Sequence, residues 1–221
     1  MLFRSDKPLL EDRAEEVSCE FMNRIPAVRE MITLDVQAAY DGDPAAKDLD
    51  QIVLTYPGVF AMMVFRLAHE LERLEVPIIP RMMTEYAHSR TGIDINPGAT
   101  IGKSFFMDHG TGIVIGETTE IGDEVKLYQG VTLGALSTRG GQSLRGAKRH
   151  PTIGDRVTIY SGASVLGGRT VIGHDSVIGG NCFITQPIPP CSKVSIKDPE
   201  LQMDNGTIEA YHDDFNWAED H

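Results

Sequence analysis

The chain has 221 residues, 41% of them apolar and 24% charged, an ordinary balance for a soluble globular protein. A formal net charge of -12 argues against non-specific nucleic-acid binding, and no apolar run approaches the ~18 residues of a membrane span. The early charges of Met1–Asp6 do not read as a secretory signal. Cys19, Cys182 and Cys191 lack CxxC or metal-ligand spacing, so a reducing, cytoplasmic setting without bound metal is expected.

From the N-terminus, residues 1–91 read as a helical domain. Leu9–Met22 and Ala27–Tyr40 are expected helices divided by Pro26, because an interior proline removes a backbone donor. Phe60, Met63, Leu67, Leu71 and Leu74 recur at helical spacing and predict one buried face. Pro57 and Pro80 suit helix starts, and Gly92 suits a helix stop. Asp43-Pro44 reads first as an N-cap followed by proline at the first helical position.

After Gly92 the period becomes six. Ile95, Ile101, Met107 and Ile113 form one series; Ile115, Ile121, Leu127 and Leu133 a second; Ile153, Ile159 and Val165 a third; Ile172, Ile178 and Ile184 a fourth. Glycine often follows the aliphatic residue, and small residues such as Ala99 and Ala163 precede the next one. A hexad suits neither an α-helix nor a hairpin. It suits a prism in which each hexad makes one flat side and three sides close a coil. The expected fold is therefore α+β, a helical domain followed by a parallel β-helix over 92–190. Two register slips interrupt the repeat, and residues 135–149 break it, so that segment should be an extruded loop. Pro187-Ile188-Pro189-Pro190 denies donors to a further strand and is expected to end the prism. Residues 191–221 form a C-terminal tail, acidic beyond Lys197.

Few residues inside the repeat titrate near neutrality. Asp94 and His109 should lie on adjacent coils, where a carboxylate bonded to one imidazole nitrogen leaves the other as a base. His109 can equally be a structural histidine at a turn. Arg139, Arg145, Lys148 and Arg149 are four cations in a loop without acidic residues, either an anion site or a solvated loop. His150 closes that loop.

Asp94-Ile95-Asn96-Pro97, Asp108-His109-Gly110-Thr111-Gly112 through Thr118, Val131-Thr132-Leu133-Gly134 and Arg149-His150-Pro151 together resemble the serine acetyltransferase family of hexapeptide-repeat acyltransferases. The likeness reaches back to Asp43-Pro44-Ala45 and covers about two thirds of the chain. It implies a left-handed β-helix that transfers acetyl from acetyl-CoA, with no metal, to L-serine in the first step of cysteine synthesis. It further implies His109 as general base oriented by Asp94, Asp43 and Asp108 on the serine ammonium, and Arg149 and His150 on the carboxylate. Gly134, Ala135, Ser161 and Gly180 fall where the family's coils contact CoA. Inhibition by L-cysteine and assembly as a homotrimer or dimer of trimers, with sites between adjacent prisms, also follow from the resemblance.

Three features depart from the family pattern. The helical domain is short, Ser192–Pro199 lacks Gly-x-Pro-Ala-Arg, and Ala218-Glu219-Asp220-His221 lacks the terminal isoleucine that family members insert into O-acetylserine sulfhydrylase, so that complex is not expected. Other readings of the residues are a hexapeptide acetyltransferase for a sugar or amine, a zinc lyase using His109, His150 and His174, or a non-catalytic scaffold.

Overall fold

A computed structural model describes residues 11–197; the acidic tail lies outside them. Four helices precede the repeat: α1 (Glu11–Gly42), α2 (Leu49–Thr55), α3 (Pro57–Arg73) and α4 (Ile79–Thr91). Among the described residues no single helix is long and apolar enough to cross a membrane.

Pro26 does not divide α1, which runs unbroken for 32 residues. Pro26 is exposed, as is Met22, whose carbonyl loses its intrahelical donor, so water can take that donor's place. Nor is Asp43 an N-cap. It follows the end of α1 and turns the chain back, its Oδ1 accepting the Ala45 N–H at 2.8 Å, while Asp48 caps α2. Gly92 does end α4, in the left-handed conformation at φ 70°.

The buried face of α3 differs from the expected one. Gly58, Ala61, Met62, Phe65 and Ala68 are buried, while Met63 is 38% exposed. Close approach decides this: a Cβ on Gly58 would lie 2.8 Å from the Met107 carbonyl oxygen, so the face that carries Gly58 meets the prism, with Met62 and Phe65 packed in the shared core. Phe60, from the expected face, instead meets Tyr86 of α4 edge-on.

A buried ion pair locks the helices to the prism. Arg66 on α3 donates from Nε to Asp35 Oδ2 at 2.5 Å and from an Nη to Oδ1 at 2.8 Å. The same guanidinium donates to the carbonyls of Ile101 and Gly102, and Asp35 Oδ1 also accepts the Phe105 N–H. Every partner beyond the pair itself belongs to the first coil.

Strands of two or three residues pair in parallel into three sheets of five, four and five strands, a left-handed β-helix of about five coils. The hexad series run on from one coil into the next, and all their rungs but Ile113 sort into three inward ladders. The first face carries Ile95, Ile115, Leu133, Val165 and Ile184; the second Ile101, Ile121, Ile153 and Ile172; the third Met107, Leu127, Ile159, Ile178 and Val194. One register slip falls between Met107 and Ile115, where two extra residues swell the edge that joins the third face to the first.

Residues 135–149 leave the edge between the first and second faces as a largely exposed loop with one 3-10 turn, Gly141–Leu144. The proline run does not end the prism. Ile188, between prolines, donates its N–H to Val171 and bridges Ile172, and Lys193–Val194 then pairs with Val177–Ile178. The prolines occupy positions from which the ladder draws no donor.

Removing the Asp35 carboxylate strands the Arg66 guanidinium in the core. Asp35→Ala is expected to cost about 3 kcal/mol in urea unfolding, with little change in the far-ultraviolet spectrum of the folded state.

Candidate active site

The swollen edge carries Asp108 and His109. Asp108 ends the strand Phe106–Asp108, and His109 follows at φ 57° with its side chain 72% exposed. A left-handed histidine in an inserted corner points outward, where its imidazole can meet a ligand. Its Nε2 lies 3.8 Å from Asp108 Oδ1.

The helical domain supplies the roof of this edge. Phe106 packs in a small core with Val36, Ala39 and Ile52, which brings the end of α1 and the α2–α3 junction over Asp108. There the Tyr56 hydroxyl donates to Asp43 Oδ2 at 2.5 Å. This bond, then the Ala45 N–H, holds the Asp43 carboxyl below the usual carboxylate range, with His109 and Lys126 adding in the same direction. The Tyr56 phenol is pushed up to about 12, chiefly by the same hydrogen bond. Lys126 reaches the Gly42 carbonyl and lies over the Phe106 ring.

Tyr128 sits one rung from Asp108 in register and stacks on Tyr160 at 4.8 Å. Burial first, then Tyr160, Asp108 and Asp43, raises the Tyr128 phenol. Ser161 and Gly180 lie further along the same edge, the Ser161 carbonyl accepting the Asn181 N–H.

Asp94 begins the first-face strand beside this edge, but no hydrogen bond joins it to His109. Its carboxylate is 3.2 Å from an Arg81 Nη on α4. The expected pair is thus not formed within the protomer; the Arg81 guanidinium on the packed helix takes the carboxylate instead.

A second cluster occupies the edge between the first and second faces. Thr118 organises it: its Oγ1 accepts the N–H groups of Arg149 and His150, and its hydroxyl and N–H both donate to His150 Nδ1. Two donors on Nδ1 place the ring proton on Nε2, which is left as a donor. Burial, then the charge of Arg149, lowers the His150 pKa to about 4, so the ring is neutral at pH 7. Gly116 makes room for it, since a Cβ there would lie 2.1 Å from His150 Cδ2. Glu117 takes the Arg149 guanidinium, and Lys148 bonds the Thr118 carbonyl and Glu120.

Two of the four loop cations are therefore already paired with glutamates from the neighbouring coil, which the loop's own composition could not reveal. Arg139 and Arg145 form no ion pair among the described residues. Gly134 and Ala135 open the loop at this edge. One side of the prism, roughly 15 Å at ~3.3 Å per extended residue, separates the two clusters.

The histidines of the repeat fall on three different edges, His174 beside Asp175 at the third, so they do not converge within the protomer. Among the described residues two groups carry metal-ligand types, His174–Asp175–Cys191 and Glu85–His88–Asp94, but Arg156 and Arg81 already bind their aspartates.

Reading by residue type missed Tyr56, Arg81, Gly116, Glu117 and Thr118 as parts of the site. Tyr56 and Arg81 lie in the helical segment, where the repeat offers no signal. Gly116-Glu117-Thr118 was visible only as a motif without a role.

Three hexad faces, with an outward histidine at a swollen edge and a cationic loop at the next, define a hexapeptide-repeat protein. No protein-family model matches the chain. The plasmid serine acetyltransferase of Synechococcus elongatus is 48% identical over 150 residues, 66% of this chain and 47% of that protein. The serine acetyltransferase of Helicobacter pylori is 45% identical over 125 residues, 57% of this chain and 70% of that protein. Serine acetyltransferase isoform 3 of Entamoeba histolytica, solved in complex with cysteine, superposes with a TM-score of 0.80 at 43% identity, covering 90% of this chain and 69% of that one. The chain belongs to the serine acetyltransferase family, and spans about half the length of the first of these relatives.

The lowered pKa of His150 sets a pH dependence. The unfolded imidazole, at 6.5, binds its proton before the folded one, at about 4, so this contribution is complete above pH 6.5 and lost as pH falls toward 4. Urea unfolding from pH 7 to 4 should show a loss on the order of 2 kcal/mol in the parent that His150→Asn lacks.

Proposed function

We propose that this chain transfers an acetyl group from acetyl-CoA to the hydroxyl of L-serine, giving O-acetylserine and CoA. The observation that carries the reading is the charge pattern of the two edges within a chain of this family. One edge holds two carboxylates beside an exposed imidazole; the other holds a guanidinium and an imidazole N–H donor. An amino acid with a reactive hydroxyl needs both, anions for its ammonium and donors for its carboxylate.

In this reading His109 takes the serine hydroxyl proton as the oxygen attacks the thioester carbonyl. The tetrahedral intermediate collapses with cleavage of the carbon–sulfur bond, and the imidazolium returns its proton to the leaving thiolate. Asp43 and Asp108 hold the ammonium and offset the imidazolium. Asp94 joins by exchanging Arg81 for the imidazole. Arg149 and the Nε2–H of His150 take the carboxylate. Acetyl-CoA is the co-substrate, laid along Ser161 and Gly180 of one prism and Gly134 and Ala135 of another. L-cysteine differs from L-serine by one atom and would compete for the same contacts, which accords with the cysteine held by the Entamoeba relative. The three cysteines of this chain, none in a disulfide, suit a reducing cytoplasm.

Because one chain carries the two clusters on different edges, a complete site needs the loop edge of one prism against the His109 edge of the next. A closed ring of three copies provides this, and a further pairing of two such rings is compatible with it.

His109→Ala is expected to lower serine-dependent thiol release from acetyl-CoA by about 10²-fold or more while remaining folded. Activity confined to another acceptor, or unaffected by the substitution, contradicts the reading. Co-refolding equal amounts of inactive His109→Ala and Arg149→Ala chains should restore about one quarter of the parent rate, since that share of interfaces pairs two intact edges. A site within one chain recovers nothing.

A further inference from the structure

We infer that Tyr56 is a positioning residue for substrate: its hydroxyl aims and fixes the Asp43 carboxylate so that both oxygens keep a free lone pair for an ammonium group. The inference rests on the proposed role of Asp43 and adds a residue from outside the repeat.

The mount is rigid. Tyr56 precedes Pro57, which biases its backbone to the extended region, and it lies there at φ -81° and ψ 118°. It closes α2 through its N–H to the Ile52 carbonyl and opens α3, at a bend of 72° between the two helices. Its ring packs against the core of Val36, Ala39, Ile52 and Phe106. The hydroxyl is therefore delivered to Asp43 Oδ2 from a fixed platform, 13 residues away in sequence.

The chemistry of the donor matters as much as its place. An ionised carboxylate has about four acceptor sites. Tyr56 fills one on Oδ2 and the Ala45 N–H one on Oδ1, which leaves each oxygen able to accept again. Two other aspartates where the helices meet the prism are held by arginine, Asp35 by Arg66 and Asp94 by Arg81. A guanidinium neutralises its partner and would cancel the attraction for a cation. A phenol donates without carrying charge, so Asp43 is oriented and stays fully anionic. Lys126, whose charge also acts on Asp43, bonds the Gly42 carbonyl instead.

Tyr56→Phe keeps the ring and removes only the donor. In the full chain it should raise the KM for L-serine about tenfold while leaving kcat and the KM for acetyl-CoA within about twofold and the Tm nearly unchanged. Two serine fragments separate positioning from general damage. Inhibition by 2-aminoethanol, which keeps the ammonium but not the carboxylate, should weaken about tenfold, and inhibition by 3-hydroxypropanoate, which keeps the carboxylate but not the ammonium, should not change. Asp43→Asn should reproduce the serine effect, and the double variant should lose no more than Asp43→Asn alone. Equal weakening of both fragments, an unchanged KM, or additive losses overturn the inference. A parent that releases no thiol with L-serine overturns the proposed function itself, whereas a serine-active parent matched by Tyr56→Phe overturns only the role of Tyr56.

Discussion

The Asp35–Arg66 pair joins two parts of the molecule that share no repeat and no period. Burying a guanidinium and a carboxylate costs several kcal/mol in desolvation, and the cost is met only when every remaining polar atom finds a partner. Here the partners are the Ile101 and Gly102 carbonyls and the Phe105 N–H, all in the first coil. The satisfaction of the pair thus depends on one placement of α1 and α3 against the prism. Gly58, on the face of α3 that meets the prism, makes that placement sterically possible. With α1 so fixed, its end can only deliver Asp43, and the following bend Tyr56, onto the edge that holds Asp108 and His109.

The prism itself is regular, and its regularity explains why the site lies where it does. Inward ladders of Ile, Leu and Val leave no space for a polar cluster inside. Chemistry is confined to edges, and both clusters of the candidate site lie where the hexad is interrupted. His109, left-handed and exposed, lies in the corner widened by two extra residues before Ile115; the extruded loop returns Arg149 and His150 to the next edge. Both departures are insertions into a rigid rung pattern, so the rungs on either side hold the inserted groups in place.

Charge is handled locally in a chain of net charge -12. Glu117 and Glu120 draw the loop cations down to the prism, Arg81 occupies Asp94, and Arg66 occupies Asp35. Asp43 is the exception: a neutral hydroxyl holds it. Anionic character is therefore concentrated at the roof of the His109 edge, opposite in sign to the neighbouring edge that carries Arg149.

The sequence by itself determined the repeat, because a period of six read against aliphatic residues admits one economical packing, and it determined the helix stop at Gly92 and the positions of both insertions. It misplaced what depends on partners distant in the chain. Pro26 looked like a break, yet an exposed proline leaves its orphaned carbonyl to water and the helix continues. The proline run looked like an end, yet Ile188 supplies the single donor its rung requires. The hydrophobic stripe of α3 suggested one buried face, and close packing selected another. Asp94 and His109 had the right spacing for a pair, but only the tertiary structure sets Arg81 beside Asp94. Only the tertiary structure, likewise, joins Tyr56 to Asp43 and sets the two clusters on different edges. Hydrophobic period is a property of neighbouring residues and is written along the chain. Which donor or cation claims a given carboxylate depends on distances in three dimensions, and these exist only once the helices have docked on the prism.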